Sequence, residues 1–187
     1  MSHIHTQPGQ HDLTASAFIV NVSDENDPKI LLHVHKKLGK LLQPGGHVEL
    51  NENPWQAITH EVREETGYEM HELKVLQSAP NIEQDPGSNA AFLPNPILIN
   101  SHKFSDTDHF HDDLVFAFLA SDTPVNKPDE GESQELVWVN LAELKALPDD
   151  KIIKNAREIA QFVLENFKDW RVENIDNFKK EVLWRKN

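Results

Sequence analysis

Apolar positions fall in short blocks separated by polar turns, and two spacings recur along the chain. TASAFIVNV (14–22) and KILLHVHK (29–36) are rich in β-branched and aliphatic residues and read as strands, joined by a polar turn over 24–28. Further strands are expected at 73–78, 97–104, 114–120 and 136–139, and the segment 41–50 carries a Gly-Gly turn. Helical spacing replaces this after Asn53, where Trp55, Ile58 and Val62 form one apolar stripe. Asn53 is suited to cap that helix, Pro54 to open it, Gln56 to complete a capping box and Gly67 to end it. Asn140 and Glu143 mark the start of a short second helix. Ile152, Ile153, Ala156, Ile159, Ala160 and Val163 predict an amphipathic helix over 150–167. Ile175, Phe178 and Val182 have helical spacing too. The expectation is therefore a domain over 1–168 and a helical extension over 169–187 packed on it, with a homodimer contact as the alternative.

The helix after Asn53 carries unusual charge. Glu61, Glu64 and Glu65 stand at i, i+3 and i+4, which brings them to one side of the helix beside the apolar stripe. Glu65 borders that stripe and is expected to be the most buried. Like charges so placed repel, and a cation between them removes the repulsion. Carboxylate oxygens suit a hard divalent ion, Mg²⁺ or Mn²⁺.

Residues 46–68 resemble the Nudix box, G-x5-E-x7-R-E-U-x-E-E-x-G-U, with U a bulky aliphatic residue. Gly46, Glu52, Glu61, Val62, Glu64, Glu65 and Gly67 stand at its fixed positions. His60 replaces the Arg of the pattern, and Tyr68 replaces the last aliphatic residue. The resemblance implies an α/β/α sandwich with a central mixed sheet. It also implies a metal-dependent hydrolase that cleaves a diphosphate linkage in a nucleoside diphosphate derivative or similar small phosphorylated substrate. By position, Glu61, Glu64, Glu65 and the Gly46 carbonyl would hold the metal. Glu64 and Glu61 would carry the catalytic role, unless an acid from a loop outside the box takes the proton of the attacking water. Glu52 would brace His60, as an acid of the box pairs with the Arg of the pattern. An imidazole is shorter than a guanidinium and only partly charged near neutrality. His60 therefore leaves two readings: a weaker brace in an active enzyme, or a catalytically weak domain that binds a nucleotide-like ligand. A third reading, a diphosphate isomerase related to the family, lacks the Cys such enzymes use, because the chain has none.

Composition narrows the partners. The net charge of −13 disfavours a nucleic-acid duplex and an anionic membrane surface. No apolar run is long enough to span a bilayer and no signal-peptide pattern opens the chain, so the cytoplasm is the expected compartment. The absence of Cys excludes disulfides and thiolate metal sites.

All 11 histidines fall at or before position 111. His33 and His35 share one face of a strand, His47 follows the Gly-Gly turn, and His109 and His111 flank Phe110 ahead of Asp112 and Asp113. His33, His35, His47 and Asp113 are candidates for substrate binding. The same imidazoles, with His109 and His111, suit a second metal site, or equally the strand edges of an ordinary sheet. Asp106, Asp108, Asp112 and Asp113 compete as the acid from outside the box, and Glu49 as a ligand to a second ion. The connection over 81–95 is a candidate substrate loop. Tyr68 is the sole tyrosine, so the downstream Tyr that marks dinucleoside polyphosphate hydrolases of the family is missing.

Overall fold

The computed structural model describes residues 7–80, 82, 90–103 and 109–178. Two long strands run parallel at its centre, β1 (His11–Asn21) and β7 (Phe110–Ala120), paired in register along their whole length from His11↔Phe110 to Asn21↔Ala120. Both are covered on two faces over their later parts, which is why 17–20 of β1 and 114–120 of β7 are continuous in apolar residues. Large and small side chains interlock across the pair. Phe116 stands beside Ala17, and Phe18 beside Ala117.

The remaining strands add on either side, giving the order β3-β2-β1-β7-β5-β9. These are β2 (Lys29–His35), β3 (Lys40–Leu42), β5 (Leu73–Gln77) and β9 (Arg171–Asn174). All the other pairings are antiparallel, so the sheet is mixed. The two central strands each change neighbour halfway along. Strand β1 pairs with β2 only at Val20 and Asn21, while its first half, Thr14 to Ser16, pairs with β4 (Gly45–His47). Strand β7 gives its second half to β5 and its first half to β6 (Leu98–Lys103). Strand β8 (Leu136–Val139) pairs with β2. The sheet thus forks between β2 and β4, and the Gly-Gly pair lies in β4 itself.

Helices cover both faces, as the sequence predicts for an α/β/α sandwich. Helix α1 (Pro54–Thr66) packs on the face made by Ala15, Ala17, Ile19, Phe116 and Phe118. Trp55 stacks on Phe118 at 5.8 Å between ring centroids and meets Phe116 edge-on at 5.6 Å. Removing such an anchor costs about 3–5 kcal/mol. Helix α3 (Lys154–Asn166) covers the opposite face, where Phe18, Val20, Ile30, Leu32, Val115 and Ala117 meet Ala160, Val163 and Leu164. The short helix α2 (Leu141–Ala146) begins at the capping box of Asn140 and Glu143.

Two expectations change. The third helix starts at Lys154 rather than 150, because Ile152 forms a bridge with Leu41 and its neighbours bond to the β3 backbone. The stretch after 169 is not a helix from its start. Arg171–Asn174 forms β9 on the edge of β5, followed by a 3-10 turn over Ile175–Phe178. Ile175 and Phe178 do pack on the core as their spacing suggests, with Phe178 against Trp55 at 6.1 Å. The sheet's outer strand therefore lies beyond the boundary expected at 168, and residues 179–187 lie outside the described residues. No described helix is long and apolar enough to cross a membrane.

Candidate active site

Helix α1 is held at both ends. The Asn53 side chain accepts from Gln56 N at 2.9 Å while the Gln56 side chain accepts from Asn53 N at 2.9 Å. Gly67 closes the helix in the left-handed conformation, its N–H donating to the Arg63 carbonyl. This rigid segment places three carboxylates against the Gly-Gly strand. Glu65 is buried, and its Oε2 accepts from Gly45 N at 2.8 Å. Glu61 lies against Gly46 so closely that a Cβ on Gly46 would stand 2.1 Å from Glu61 Oε1. A Cβ on Gly45 would instead stand 2.4 Å from the Ala15 carbonyl oxygen, and Gly45 also has φ +150°. The first glycine thus allows β4 to approach β1, and the second makes room for Glu61. Glu64 is more exposed than Glu65, with a third of its side chain accessible.

Burial sets the electrostatics here. It pushes the Glu61 carboxyl up to about 7, helped by Glu64, opposed by His60, and helped again by Glu132 and Glu52. Burial also raises Glu65 well above the usual carboxylate range, followed by repulsion from Glu61, while the Gly45 N–H works the other way. His33, on the same face, is buried, and its Nε2 lies 3.9 Å from Glu65 Oε2. That spacing is within ion-pair range, but burial and then His35 lower His33 to about 4. Without a cation both groups are therefore driven to their neutral forms. Neither ring nitrogen of His33 makes a hydrogen bond among the described residues. A site of hard oxygen donors in which two carboxyls resist ionisation fits a divalent ion such as Mg²⁺ or Mn²⁺, since a nearby positive charge reverses both shifts.

The structure also reassigns His60. Its Nε2 lies 2.7 Å from Glu64 Oε1 within the same helix. Glu52, the partner expected from sequence, instead accepts from Glu49 N at 3.0 Å and closes the turn before the helix. The reason is geometric. His60 and Glu64 are one turn apart, so a short imidazole reaches Glu64 without leaving the helix surface.

An acid from outside the box does come near, from a loop that sequence reasoning passed over. The chain over 121–135, between β7 and β8, wraps the end of α1. Asp129 N donates to the Glu64 carbonyl at 2.8 Å, and Lys36 Nζ donates to the Gly131 carbonyl. Glu132, half-buried, acts on Glu61, Glu65 and His35 through its charge. Only its place in a polar loop entering β8 offered any signal. Asp106 and Asp108 lie outside the described residues, as does most of the candidate loop over 81–95.

His33 and His35 share the box face, their rings 6.4 Å apart. His47 and Asp113 do not. Along β1, odd positions from Ala15 face α1 and even positions face α3, so Thr14 and its neighbours His47 and Asp113 belong to the α3 face. Asp113 is buried and accepts from Thr14 Oγ1 at 3.0 Å and Ser16 Oγ at 2.9 Å. Burial raises its pKa against the pull of those hydroxyls. Asp112 is half-buried and pairs with His11 Nδ1 at 2.9 Å. His47, His109 and His111 come together so that their ligand atoms lie within 4.8 Å of one another, close enough to coordinate a divalent ion.

The NUDIX domain family model matches residues 12–162. A solved hydrolase of the NUDIX family from Clostridium perfringens is 31% identical, with a TM-score of 0.65 over 82% of this chain and 96% of that one. The NUDIX domain of Shewanella oneidensis NrtR, solved with ADP ribose, is 15% identical with a TM-score of 0.60, covering 83% of this chain and 88% of its own. A NUDIX hydrolase from Nitrosomonas europaea is 19% identical with a TM-score of 0.58, covering 91% and 95%. The last two show likeness of fold alone. No curated protein gives a significant match.

Proposed function

The chain belongs to the NUDIX family, and on that premise we propose that it is a divalent-metal-dependent hydrolase of diphosphate linkages in small phosphorylated substrates. The observation that carries this is the set of three carboxylates, Glu61, Glu64 and Glu65, held by one capped helix against Gly45 and Gly46. Glu61, Glu64, Glu65 and the Gly46 carbonyl are the groups that would hold Mg²⁺ or Mn²⁺. When bound, the ion would neutralise phosphate charge and lower the pKa of water.

The chain's own residues do the rest. Gly45 N fixes the Glu65 carboxylate, so one donor is set before substrate arrives. Glu64 is accessible and is suited to take the proton of an attacking water, with Glu61 beside it and Glu132 as the acid from outside the box. In the reaction a water oxygen bonds to phosphorus, the bond to the bridging oxygen breaks, and the proton passes to a carboxylate. His33 and His35 line the same face and are suited to meet the substrate's phosphates or their flanking group.

The contact of His60 with Glu64 favours one competing reading, a domain that binds a nucleotide-like ligand with little turnover, because it engages a carboxylate that hydrolysis needs. A panel of nucleoside diphosphate derivatives, nucleotide sugars and other diphosphates, assayed with Mg²⁺ and with Mn²⁺, separates the two. Hydrolysis that is abolished by chelator and falls by at least ~10³-fold in Glu64→Gln, the scale of losing a catalytic proton acceptor, supports the hydrolase. Tight binding without turnover on every compound replaces it with the binding reading.

A further inference from the structure

We propose that His47, His109 and His111 form a second metal site, selective for a borderline transition ion of the zinc class and separate from the box carboxylates. Imidazole nitrogen suits zinc, nickel or copper, whereas Mg²⁺ takes oxygen donors, so the two faces of the sheet offer chemically different sites.

The spacing supports the ligand set. Zn–N bonds of about 2.0–2.1 Å at tetrahedral angles separate two ligand nitrogens by roughly 3.3–3.4 Å. His109 Nε2 and His111 Nε2 are 3.3 Å apart. The third ring comes from a different strand, with His47 on β4 meeting His111 edge-on at 4.9 Å across β1. His47 is registered opposite Thr14, and His111 opposite Asp12, so the ligands stand on paired strands rather than on loops, apart from His109, which directly precedes β7.

A buried carboxylate stands beside them. Asp12 is 5% exposed, and its Oδ2 makes no hydrogen bond among the described residues. It lies 3.5 Å from His47 Nε2. A carboxylate behind a ligating histidine orients the ring and strengthens it as a donor. An acid so buried also gains from a cation in its neighbourhood. Three protein ligands leave a fourth position for water or an anion. The ion would tie β4 to β7 across β1, and β4 is the strand that carries Gly45 and Gly46.

The probe is Co²⁺, whose visible spectrum reports geometry, followed by Zn²⁺ in competition with it. Full-length protein stripped of metal is titrated with Co²⁺ in the presence of excess Mg²⁺. One equivalent is expected to give the intense absorption of a four- or five-coordinate site, reversed by Zn²⁺. His111→Asn and His109→Asn are expected to weaken binding at least tenfold, and Asp12→Asn about 10–100-fold, while Glu64→Gln leaves it unchanged. Circular dichroism checks that each variant is folded. X-ray absorption of the Zn²⁺-loaded wild type is expected to show scattering from about three imidazoles, a result no variant can compromise. Loss of the Co²⁺ band in Glu64→Gln but not in the histidine variants, a six-coordinate oxygen spectrum, or no binding below millimolar metal would each overturn the proposal.

Discussion

Glu61→Gln in the absence of divalent metal is expected to stabilise the protein, and increasingly so as pH rises. The Glu61 carboxyl is pushed from 4.5 up to about 7, first by burial and then by Glu64. Its folded-state pKa lies above the unfolded one. Between the two values the folded state holds the proton more often, and stability falls as pH rises through that window. At 1.36 kcal/mol per unit, the full difference is about 3 kcal/mol, developed little at pH 5 and almost wholly at pH 8. Gln keeps the shape and never ionises, so the variant escapes this loss, and Glu65 is relieved of one repulsive neighbour as well. Urea denaturation with chelator, followed at pH 5 and pH 8, measures it. The variant should gain about 2–3 kcal/mol on the wild type between those pH values. Excess Mg²⁺ at pH 8 should then stabilise the wild type more than the variant, because binding to the folded state alone shifts the equilibrium. A stability difference between variant and wild type that does not change with pH would show that Glu61 is not strained by its surroundings.

Gly46→Ala places a Cβ against the Glu61 carboxylate rather than against backbone, so stability should fall by less than ~1 kcal/mol in urea melts while metal-dependent hydrolysis drops at least ~10-fold. Gly45→Ala, whose Cβ meets the Ala15 carbonyl oxygen, should instead destabilise by several kcal/mol, about 3 or more. His60→Ala removes a contact in which half of the imidazole and a third of Glu64 are accessible, so its effect on stability should stay under ~1 kcal/mol, with turnover within about tenfold of wild type. Tyr68→Phe deprives the Asp122 carbonyl of its donor and should cost about 1–2 kcal/mol in thermal or urea unfolding.

The box helix was legible because its information is local. Capping by Asn53 and Gln56, termination at Gly67 and the placement of Glu61, Glu64 and Glu65 beside an apolar stripe all follow from residues within a turn or two of one another. The same locality explains the error at His60. A family pattern suggested Glu52 across the loop, but a shorter side chain takes the partner one turn away. The C-terminal segment misled for a related reason. Ile175 and Phe178 have helical spacing, yet the free edge of β5 offers backbone hydrogen bonds to 171–174, and an edge lies outside the reach of periodicity.

By itself the sequence determined the box helix with its caps, the central strands and the grouping of the acidic cluster, since periodicity and capping depend on near neighbours. Tertiary structure decided which distant residues share a face. It brought Glu132 to the carboxylates from a loop with no motif, and it divided the histidines, sending His33 and His35 to the box and His47, His109 and His111 to the far side of the sheet. The physical reason is the pairing register of β1. One position along that strand moves a side chain through the sheet, and register is set by partners nearly a hundred residues away, such as Asp113 opposite Thr14.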